Sequence, residues 1–361
     1  MKVLHVINSL NVGGAEVLLS NTLQGNGLSP QVNNTLAYFI GGSPLLDKID
    51  QGVKKVDLQY SGGADLLFLL RRLRRLIKEE KPDIIHTHLN PAGSYVNMVK
   101  PKSIPQIHTL HTMYTQDQET RPFLKAVEKR TLFRDDRAAL IFLSPMLEKD
   151  FSSAISFKGK KYILPNFIED SFFEIKPATP VPEQLRVVAV GTIREVKNYQ
   201  YLLDIFARLK GLPVSLDIYG GGDTTAFNQR IEKEQLNVRM MGQTTDVSSV
   251  LGKYDLFIMA SKFEGYPLSV IEAMAANLPV LLSDIPALKD IAGEHADYFR
   301  LDDPSDAAGV LKEYLTASDR YRSRIEKARA YAGDVARKRT YIQKLIDIYR
   351  ETISGYHLPT H

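Results

Sequence analysis

Short runs of β-branched and leucine residues alternate with amphipathic segments along the whole chain. This alternation is typical of parallel strands joined by crossover helices, so it predicts an α/β fold. The chain has 361 residues, which at ~150 residues per domain predicts two domains and excludes a small disulfide-stapled scaffold. The runs predicted to be strands are Val3–Ile7, Asp83–His88, Gln106–Leu110, Leu140–Leu143, Arg186–Val190, Ser215–Tyr219, Asp255–Met259 and Pro279–Leu282.

Prolines crowd the stretch from Asn166 to Gln184, which has no clear hydrophobic period. This composition is typical of an interdomain linker. The segment Leu185–Gly191 then repeats the opening order of strand, glycine, loop and helix. We therefore predict two doubly wound parallel-sheet domains that face a central cleft.

The composition limits the classes of protein to which the chain can belong and indicates the compartment in which it works. Because the chain has no cysteine, it can form neither a disulfide nor a thiolate metal site, and a reducing cytosol is the simplest location. No run approaches the ~18 apolar residues that a membrane span needs, and the start of the chain resembles a first strand rather than a secretory signal. Residues 1–180 hold 23 Lys+Arg and 18 Asp+Glu, so this half is the more basic one.

The most specific segment runs from Ser261 to Ala276, after the strand Asp255–Met259. Gly265 and Pro267 predict a turn before a helix that begins near Leu268. A helix N-terminus at the carboxyl end of a strand favours a phosphate or diphosphate. Glu264 and Glu272 add carboxylates that suit sugar or ribose hydroxyls.

Each of these carboxylates has a structural alternative. Ser269 and Glu272 have the spacing of a capping box. Glu264 alone is compatible with a solvated loop carboxylate.

Two further loops follow predicted strands. Lys197 lies after the strand that ends at Gly191 and is suited to stabilise the negative charge of a leaving diphosphate. The alternative is that Lys197 is an ordinary solvated lysine on a surface loop. Gly13 and Gly14 permit a close backbone approach to a ligand or simply a tight turn. Neither the Gly13-Gly14 stretch nor Gly220-Gly221-Gly222 has the Gly-x-Gly-x-x-Gly pattern, which argues against a nicotinamide or flavin cofactor.

The histidines His86, His88, His108 and His111 raise the alternative of a zinc site with three histidine ligands. No carboxylate cluster accompanies them, and histidines at strand ends commonly satisfy local hydrogen bonds. We therefore expect no metal and no cofactor.

The segment Leu66–Lys78 is a leucine-rich predicted helix with five cations. Its apolar stripe with a basic rim is compatible with peripheral contact to an anionic membrane. The alternative is that the stripe faces the core of its own domain and that the arginines are solvated.

These motifs together resemble the retaining GT-B glycosyltransferases of glycosyltransferase family 4. The two glutamates of Glu264-Gly-Tyr-Pro…Ile-Glu272-Ala-Met-Ala are similar to the E-x7-E signature of that family. Other stretches resemble family landmarks in the same order along the chain, namely Gly13–Glu16, Asp83–His88, Ile104–His111, Leu164–Asn166, Gly191–Asn198, Tyr219–Asp223 and Leu278–Val280.

The resemblance implies a GT-B fold of two Rossmann-like domains. Residues 1–168 with the C-terminal helix, about 344–361, would bind the acceptor, 169–184 would be the linker, and 185–343 would bind a nucleotide-sugar. His111, Lys197 and Glu264 are the implied catalytic residues, and Gly13, His88 and Asn90 lie on the acceptor side. The implied donor-binding residues are Gly14, Gly191, Thr192, Arg194, Lys197, Gly220, Glu264, Gly265, Tyr266, Leu268, Ser269 and Glu272.

The chain departs from the family pattern at two positions. Thr192 stands where the family often has an arginine on the diphosphate, and Arg194 is the candidate to replace its charge. Phe167 stands where the family commonly has glycine.

The implied activity is metal-independent transfer, with retention, from a nucleoside-diphosphate sugar such as a UDP- or GDP-sugar. The acceptor would be a hydroxyl of a glycan or lipid-linked oligosaccharide in cell-surface polysaccharide biosynthesis, at the cytoplasmic face of the plasma membrane. No nucleic acid partner is expected. A GT-B nucleotide-sugar epimerase, a non-catalytic sugar-binding relative and, less favoured, a Rossmann oxidoreductase remain alternatives.

Overall fold

The computed structural model describes residues 1–11, 14–25, 31–42, 44–115, 120, 122–176, 184–244, 246–316 and 319–356. It divides into two compact units: the first comprises residues 1–166 and 338–361, and the second comprises residues 167–337. The sequence had placed these boundaries at 168 and about 344, with a linker over 169–184. In the described part of that linker, Asp170–Glu174 form a short 3-10 helix whose Phe172 and Phe173 are buried in the core of the second unit.

Two parallel sheets organise the units. Over the described residues, the first unit has the strand order β3-β2-β1-β4-β5-β6-β7 and the second has β10-β9-β8-β11-β12-β13. The strands are β1 (Lys2–Ser9), β2 (Asn33–Ile40), β3 (Lys54–Asp57), β4 (Ile84–His88), β5 (Gln106–Leu110), β6 (Ala139–Phe142), β7 (Lys160–Ile163), β8 (Leu185–Val190), β9 (Val214–Tyr219), β10 (Val238–Gly242), β11 (Leu256–Met259), β12 (Val280–Ser283) and β13 (Asp297–Phe299). The α/β prediction and the eight predicted strands are confirmed.

The α-helices of the described residues follow the strands as crossovers. They are α1 (Gly14–Thr22), α2 (Leu66–Glu80), α3 (Ala92–Val99), α4 (Pro122–Arg130), α5 (Pro145–Ala154), α6 (Tyr199–Ala207), α7 (Thr225–Glu234), α8 (Val247–Leu251), α9 (Leu268–Ala275), α10 (Pro286–Ala292), α11 (Pro304–Thr316), α12 (Asp319–Ala336) and α13 (Lys338–Tyr356). None of these described helices is both long and apolar enough to cross a bilayer.

The first unit buries both faces of its sheet. Leu4 and Val6 of β1 pack in one core with Leu69 and Leu73 of α2. The alternate residue His5 pairs in register with His86 of β4, and both are fully buried. Strands β4 and β5 are buried along their whole length, up to their carboxyl ends.

The second unit also buries its sheet on both sides. Val187 of β8 packs in one core with Leu202 of α6, whereas the next residue, Val188, packs in the other core with Val270 of α9. This one-residue alternation follows from the period of two in a strand. Val270 lies in the first turn of α9, the element that follows β11 in the chain, so this turn packs against one face of the sheet.

Candidate functional site

The loop after β8 is built around a close backbone approach at Gly191. A Cβ atom at Gly191 would lie 3.0 Å from the Tyr199 hydroxyl and 3.3 Å from a side-chain carbon of Lys197. The Tyr199 hydroxyl donates to the Gly191 carbonyl oxygen at 2.7 Å. A larger residue here would have to displace the ends of these two side chains, so the close packing favours glycine, and Lys197 lies beside the strand end.

Lys197 and Glu264, which are 67 residues apart, form the central contact of this loop. The Lys197 ammonium donates to Glu264 Oε1 at 2.7 Å. The Ser261 hydroxyl donates to the same oxygen, and Ser261 is fully buried. The structure thus brings two of the predicted catalytic residues together.

The other residues of the predicted diphosphate loop have different surroundings. Thr192 and Arg194 are exposed. A Cβ atom at Gly220 would lie 1.9 Å from the Gly191 carbonyl oxygen, so Gly220 lets the next strand end pack against the loop. Gly220 therefore has a packing role that the sequence assignment to donor binding did not anticipate.

Helix α9 begins at Leu268, as the turn signals predicted, but the capping box is wrong. The N-cap is Pro267, which has no side-chain cap hydrogen bond, so Ser269 lies inside the helix. The spacing of serine and glutamate fits a cap only if serine precedes the first turn. Pro267 takes that place here because its fixed φ and extended conformation suit chain entry into the helix. Gly265 and Tyr266 complete the turn and are partly buried.

Glu272 lies in the second turn of α9 and retains partial exposure. Burial of its carboxyl group, with a smaller contribution from the negative charge of Glu169, raises the pKa of Glu272 to about 7. A carboxyl group in this state is poised between its neutral and charged forms at neutral pH. Such a shift is common at functional sites.

In the first unit, His88 is the last residue of β4, Asn90 lies in the loop after it, and His111 follows β5. The ring centroids of His88 and His111 lie 6.1 Å apart. Among the described residues, the buried atoms His88 Nδ1, Asn90 Oδ1 and His111 Nε2 have no hydrogen-bond partner. Buried polar atoms without partners are rare, which makes these three candidates to meet ligand hydroxyls.

Burial keeps His88 and His111 neutral at neutral pH. It lowers the pKa of His111 to about 4, and burial together with neighbouring histidines lowers that of His88 well below its usual value. A neutral imidazole has one donor and one acceptor nitrogen. His111 is therefore suited to hydrogen bonding rather than to charge pairing.

The glycines of the first loop carry less information. Gly13 lies outside the described residues. Gly14 begins α1, and a Cβ atom there would meet nothing within 4 Å of it among the described residues. Packing in the described structure does not explain a glycine at position 14.

Sequence reasoning missed Glu128, a buried carboxylate in α4. It accepts a hydrogen bond from Asn90 Nδ2 at 2.8 Å, which turns the amide oxygen of Asn90 away from it. The only signal in the sequence was one glutamate in an otherwise basic helix. That signal did not distinguish it from a solvated residue.

Three histidines, His5, His86 and His88, place ring nitrogens within 4.8 Å of one another, as a metal site requires. This set differs from the predicted zinc alternative by His5. Both nitrogens of His86 have hydroxyl partners, Tyr349 and Thr109, each at 2.7 Å. These contacts fit the expectation of local hydrogen bonding by strand histidines.

The basic helix α2 faces the core, as one of its two interpretations predicted. Leu69, Leu73, Leu76 and Ile77 are buried. Arg72 donates to the carbonyl oxygens of Leu58 and Gln59 at 2.7 and 2.9 Å, so it has a structural role. Two apolar side chains at the start of the helix remain exposed, Leu67 by 65% and Phe68 by 54%.

Comparison with known proteins covers both units. Residues 13–172 match the family described as Glycosyltransferase Family 4, and residues 171–331 match Glycosyl transferases group 1. The chain is 25% identical over 312 residues to the putative glycosyltransferase EpsF of Bacillus subtilis, covering 81% of each. It is 26% identical over 220 residues to the O-antigen biosynthesis glycosyltransferase WbnH of Escherichia coli, covering 60% of this chain and 62% of that protein.

The fold has solved counterparts. HepE of Anabaena, solved in complex with UDP, superposes with a TM-score of 0.81 over 97% of this chain and 100% of that chain, at 16% identity. The two parallel-sheet units are those of the GT-B fold, as predicted. The chain is therefore a glycosyltransferase, and the prediction of that enzyme class is confirmed.

Proposed function

We propose that the protein is a retaining, metal-independent glycosyltransferase of family 4 that uses a nucleoside-diphosphate sugar, a UDP- or GDP-sugar. The observation that carries this proposal is the contact of Lys197 with Glu264 at the loop that precedes α9. This contact places a cation that is suited to bind a diphosphate next to a carboxylate that is suited to bind sugar hydroxyls. The second unit is proposed to bind the donor and the first unit the acceptor.

In this proposal, Lys197 stabilises the negative charge that develops on the leaving diphosphate. The first turn of α9 has no side-chain cap, so its backbone N–H groups and helix dipole add to the same effect. Arg194, on the surface of the loop, is proposed to supply the charge that Thr192 lacks. Glu264 and Glu272 accept hydrogen bonds from donor hydroxyls.

The proposed acceptor is a hydroxyl group of a glycan or lipid-linked oligosaccharide. Buried neutral His88 and the unpartnered amide oxygen of Asn90 are suited to bind such hydroxyls. His111, also neutral, is proposed to bind the donor sugar near the reacting carbon. The similarity to WbnH, an O-antigen biosynthesis glycosyltransferase, supports cell-surface polysaccharide assembly as the setting.

A peripheral membrane contact is proposed for the start of α2, at the cytoplasmic face of the plasma membrane. Leu67 and Phe68 are exposed there, and the Arg71 guanidinium lies 5.8 Å from the centre of the Phe68 ring. Exposed apolar side chains with adjacent cations bind anionic lipid surfaces. This contact would bring the acceptor unit to a lipid-linked substrate.

The proposal is tested by a thermal-shift screen with UDP, GDP, ADP, CDP and dTDP, with and without EDTA. A ligand at ~100 times its dissociation constant stabilises the folded state by ~2.7 kcal/mol. We expect one or two of the five to raise the melting temperature of the parent protein, equally with EDTA, and not that of Lys197→Ala. If none does, or if the shift needs a divalent metal, the proposed donor class or the metal independence is wrong.

A further inference from the structure

The contact between Lys197 and Glu264 is largely buried and firmly held. The two side chains are only 17% and 10% exposed. The Ser261 hydroxyl donates to the same Glu264 oxygen as Lys197 does, and the Ser261 carbonyl oxygen accepts a hydrogen bond from Ser283 at 2.6 Å. Glu264 is therefore held by Ser261, in the loop after β11, and through Ser261 by Ser283 at the end of β12.

One ammonium group serves two anions in the proposed function. Lys197 pairs with Glu264 in the structure, yet the leaving diphosphate also needs it. An ammonium that already neutralises a nearby carboxylate offers less net attraction to a phosphate. Glu264 therefore weakens the attraction of Lys197 for any diphosphate.

We propose that the donor diphosphate takes Lys197 from Glu264 and that the released carboxylate then binds the sugar hydroxyls, so that Glu264 discriminates a nucleoside-diphosphate sugar from the free nucleoside diphosphate. This inference rests on the proposed function and assigns a specificity role to the same site. With the intact donor, sugar hydroxyls replace the lysine as hydrogen-bond donors to Glu264. With the free diphosphate, no hydroxyl does so, and a partly buried carboxylate is left beside a terminal phosphate of higher charge. Such an unpaired group is unfavourable, which weakens product binding and favours its release.

The test is calorimetric titration of Glu264→Gln with a free nucleoside diphosphate and with the matching sugar donor. The probe is whichever of UDP and GDP the parent binds more tightly, with UDP-glucose or GDP-mannose as its sugar form. Removing the competing charge should tighten the free diphosphate by about fivefold, and it should leave the sugar donor equal or weaker. A purely structural role of Glu264 would weaken both.

Glu195→Gln is the matched control. Glu195 is in the same short helix as Lys197, and its side chain is 94% exposed and lies 3.6 Å from Lys262. This variant removes one negative charge near the loop without changing the partner of Lys197. We expect its affinity for the free diphosphate to stay within about twofold of the parent, because exposed charges are screened.

The outcomes separate the inference from the function on which it rests. If Glu264→Gln binds the free diphosphate no more tightly than the parent does, or if Glu195→Gln tightens it equally, the inference is wrong. If the parent binds none of the five diphosphates, the proposed function is wrong. Should Glu264→Gln fail to fold, Glu264→Asp provides the same comparison, since its shorter side chain retracts the carboxylate and should also tighten the free diphosphate.

Discussion

The protonation of Glu272 is expected to control donor affinity, and Glu272→Gln tests this. Burial and the charge of Glu169 raise the pKa of Glu272 to about 7. If the charged form alone binds donor hydroxyls, the carboxylate is fully available at pH 8 and only about one tenth available at pH 6. The dissociation constant of a nucleotide-sugar should therefore be up to about tenfold larger at pH 6 than at pH 8.

Calorimetric titration with a nucleoside-diphosphate sugar measures this dependence cleanly. Its diphosphate diester does not titrate between pH 6 and 8, and His111, whose pKa is about 4, stays neutral there. Glu272→Gln should bind the donor about tenfold more weakly than the parent at pH 8, with the pH dependence gone. A parent affinity that is flat from pH 6 to 8, or a glutamine variant with the same slope, would refute the reasoning.

The same raised pKa has a consequence for stability, with a definite sign. The folded state holds the Glu272 proton more tightly than the unfolded chain, whose pKa is near 4.5. Stability therefore falls as the pH rises from 4.5 to 7, by at most about 3 kcal/mol, and less where water reaches the carboxyl group. In denaturant unfolding, Glu272→Gln should be more stable than the parent at pH 8, and the difference should vanish toward pH 4.5. An unchanged difference across this range would contradict the burial of the carboxyl group.

Three further predictions follow from the proposed function. Lys197→Ala should lower turnover by ~10²-fold or more, because the leaving diphosphate loses its cation, and Arg194→Ala should lower it less; unchanged kinetics in Lys197→Ala would remove the lysine from the mechanism. Cosedimentation with anionic vesicles should weaken as salt rises and in Arg71→Glu/Arg75→Glu, whereas the exposed Glu79→Gln should bind like the parent; binding that ignores both salt and the arginines would leave α2 as a core helix only. Turnover should survive EDTA, and loss that zinc or manganese restores would revive a histidine metal site.

The central strands could be predicted from the sequence because they are continuous apolar runs, buried on both faces. The strands that were missed are mostly at sheet edges. β3 has the sequence Lys-Lys-Val-Asp and β7 has the sequence Lys-Lys-Tyr-Ile. The lysines are tolerated because both edge strands are largely exposed to solvent. Lysine on an edge strand also discourages pairing with other chains. Such strands have no apolar run to detect.

The candidate site was predictable where one local segment carries it. The turn before Leu268 and the two glutamates all lie within the sixteen consecutive residues from Ser261 to Ala276, so local sequence was enough to predict them. The contact of Lys197 with Glu264, and that of Asn90 with Glu128, join residues far apart in the chain. Their pairing depends on sheet order, which places β8 beside β11 and β4 beside β5. Local spacing also produced the wrong capping box. The turn signals indicate a helix start near Leu268, and that start places Ser269 inside the helix, where it cannot be the N-cap.

The most direct test of retaining sugar transfer from a nucleotide-sugar is time-resolved proton NMR of donor turnover. UDP-glucose, UDP-N-acetylglucosamine and GDP-mannose are all α-linked donors, and water serves as a slow acceptor in place of the natural one. We predict that the nucleoside diphosphate is released and that the α-anomer of the sugar appears first. The rate of this release should be sharply lower in Lys197→Ala than in the parent. Appearance of the β-anomer first, or equal release by the parent and Lys197→Ala, would contradict it.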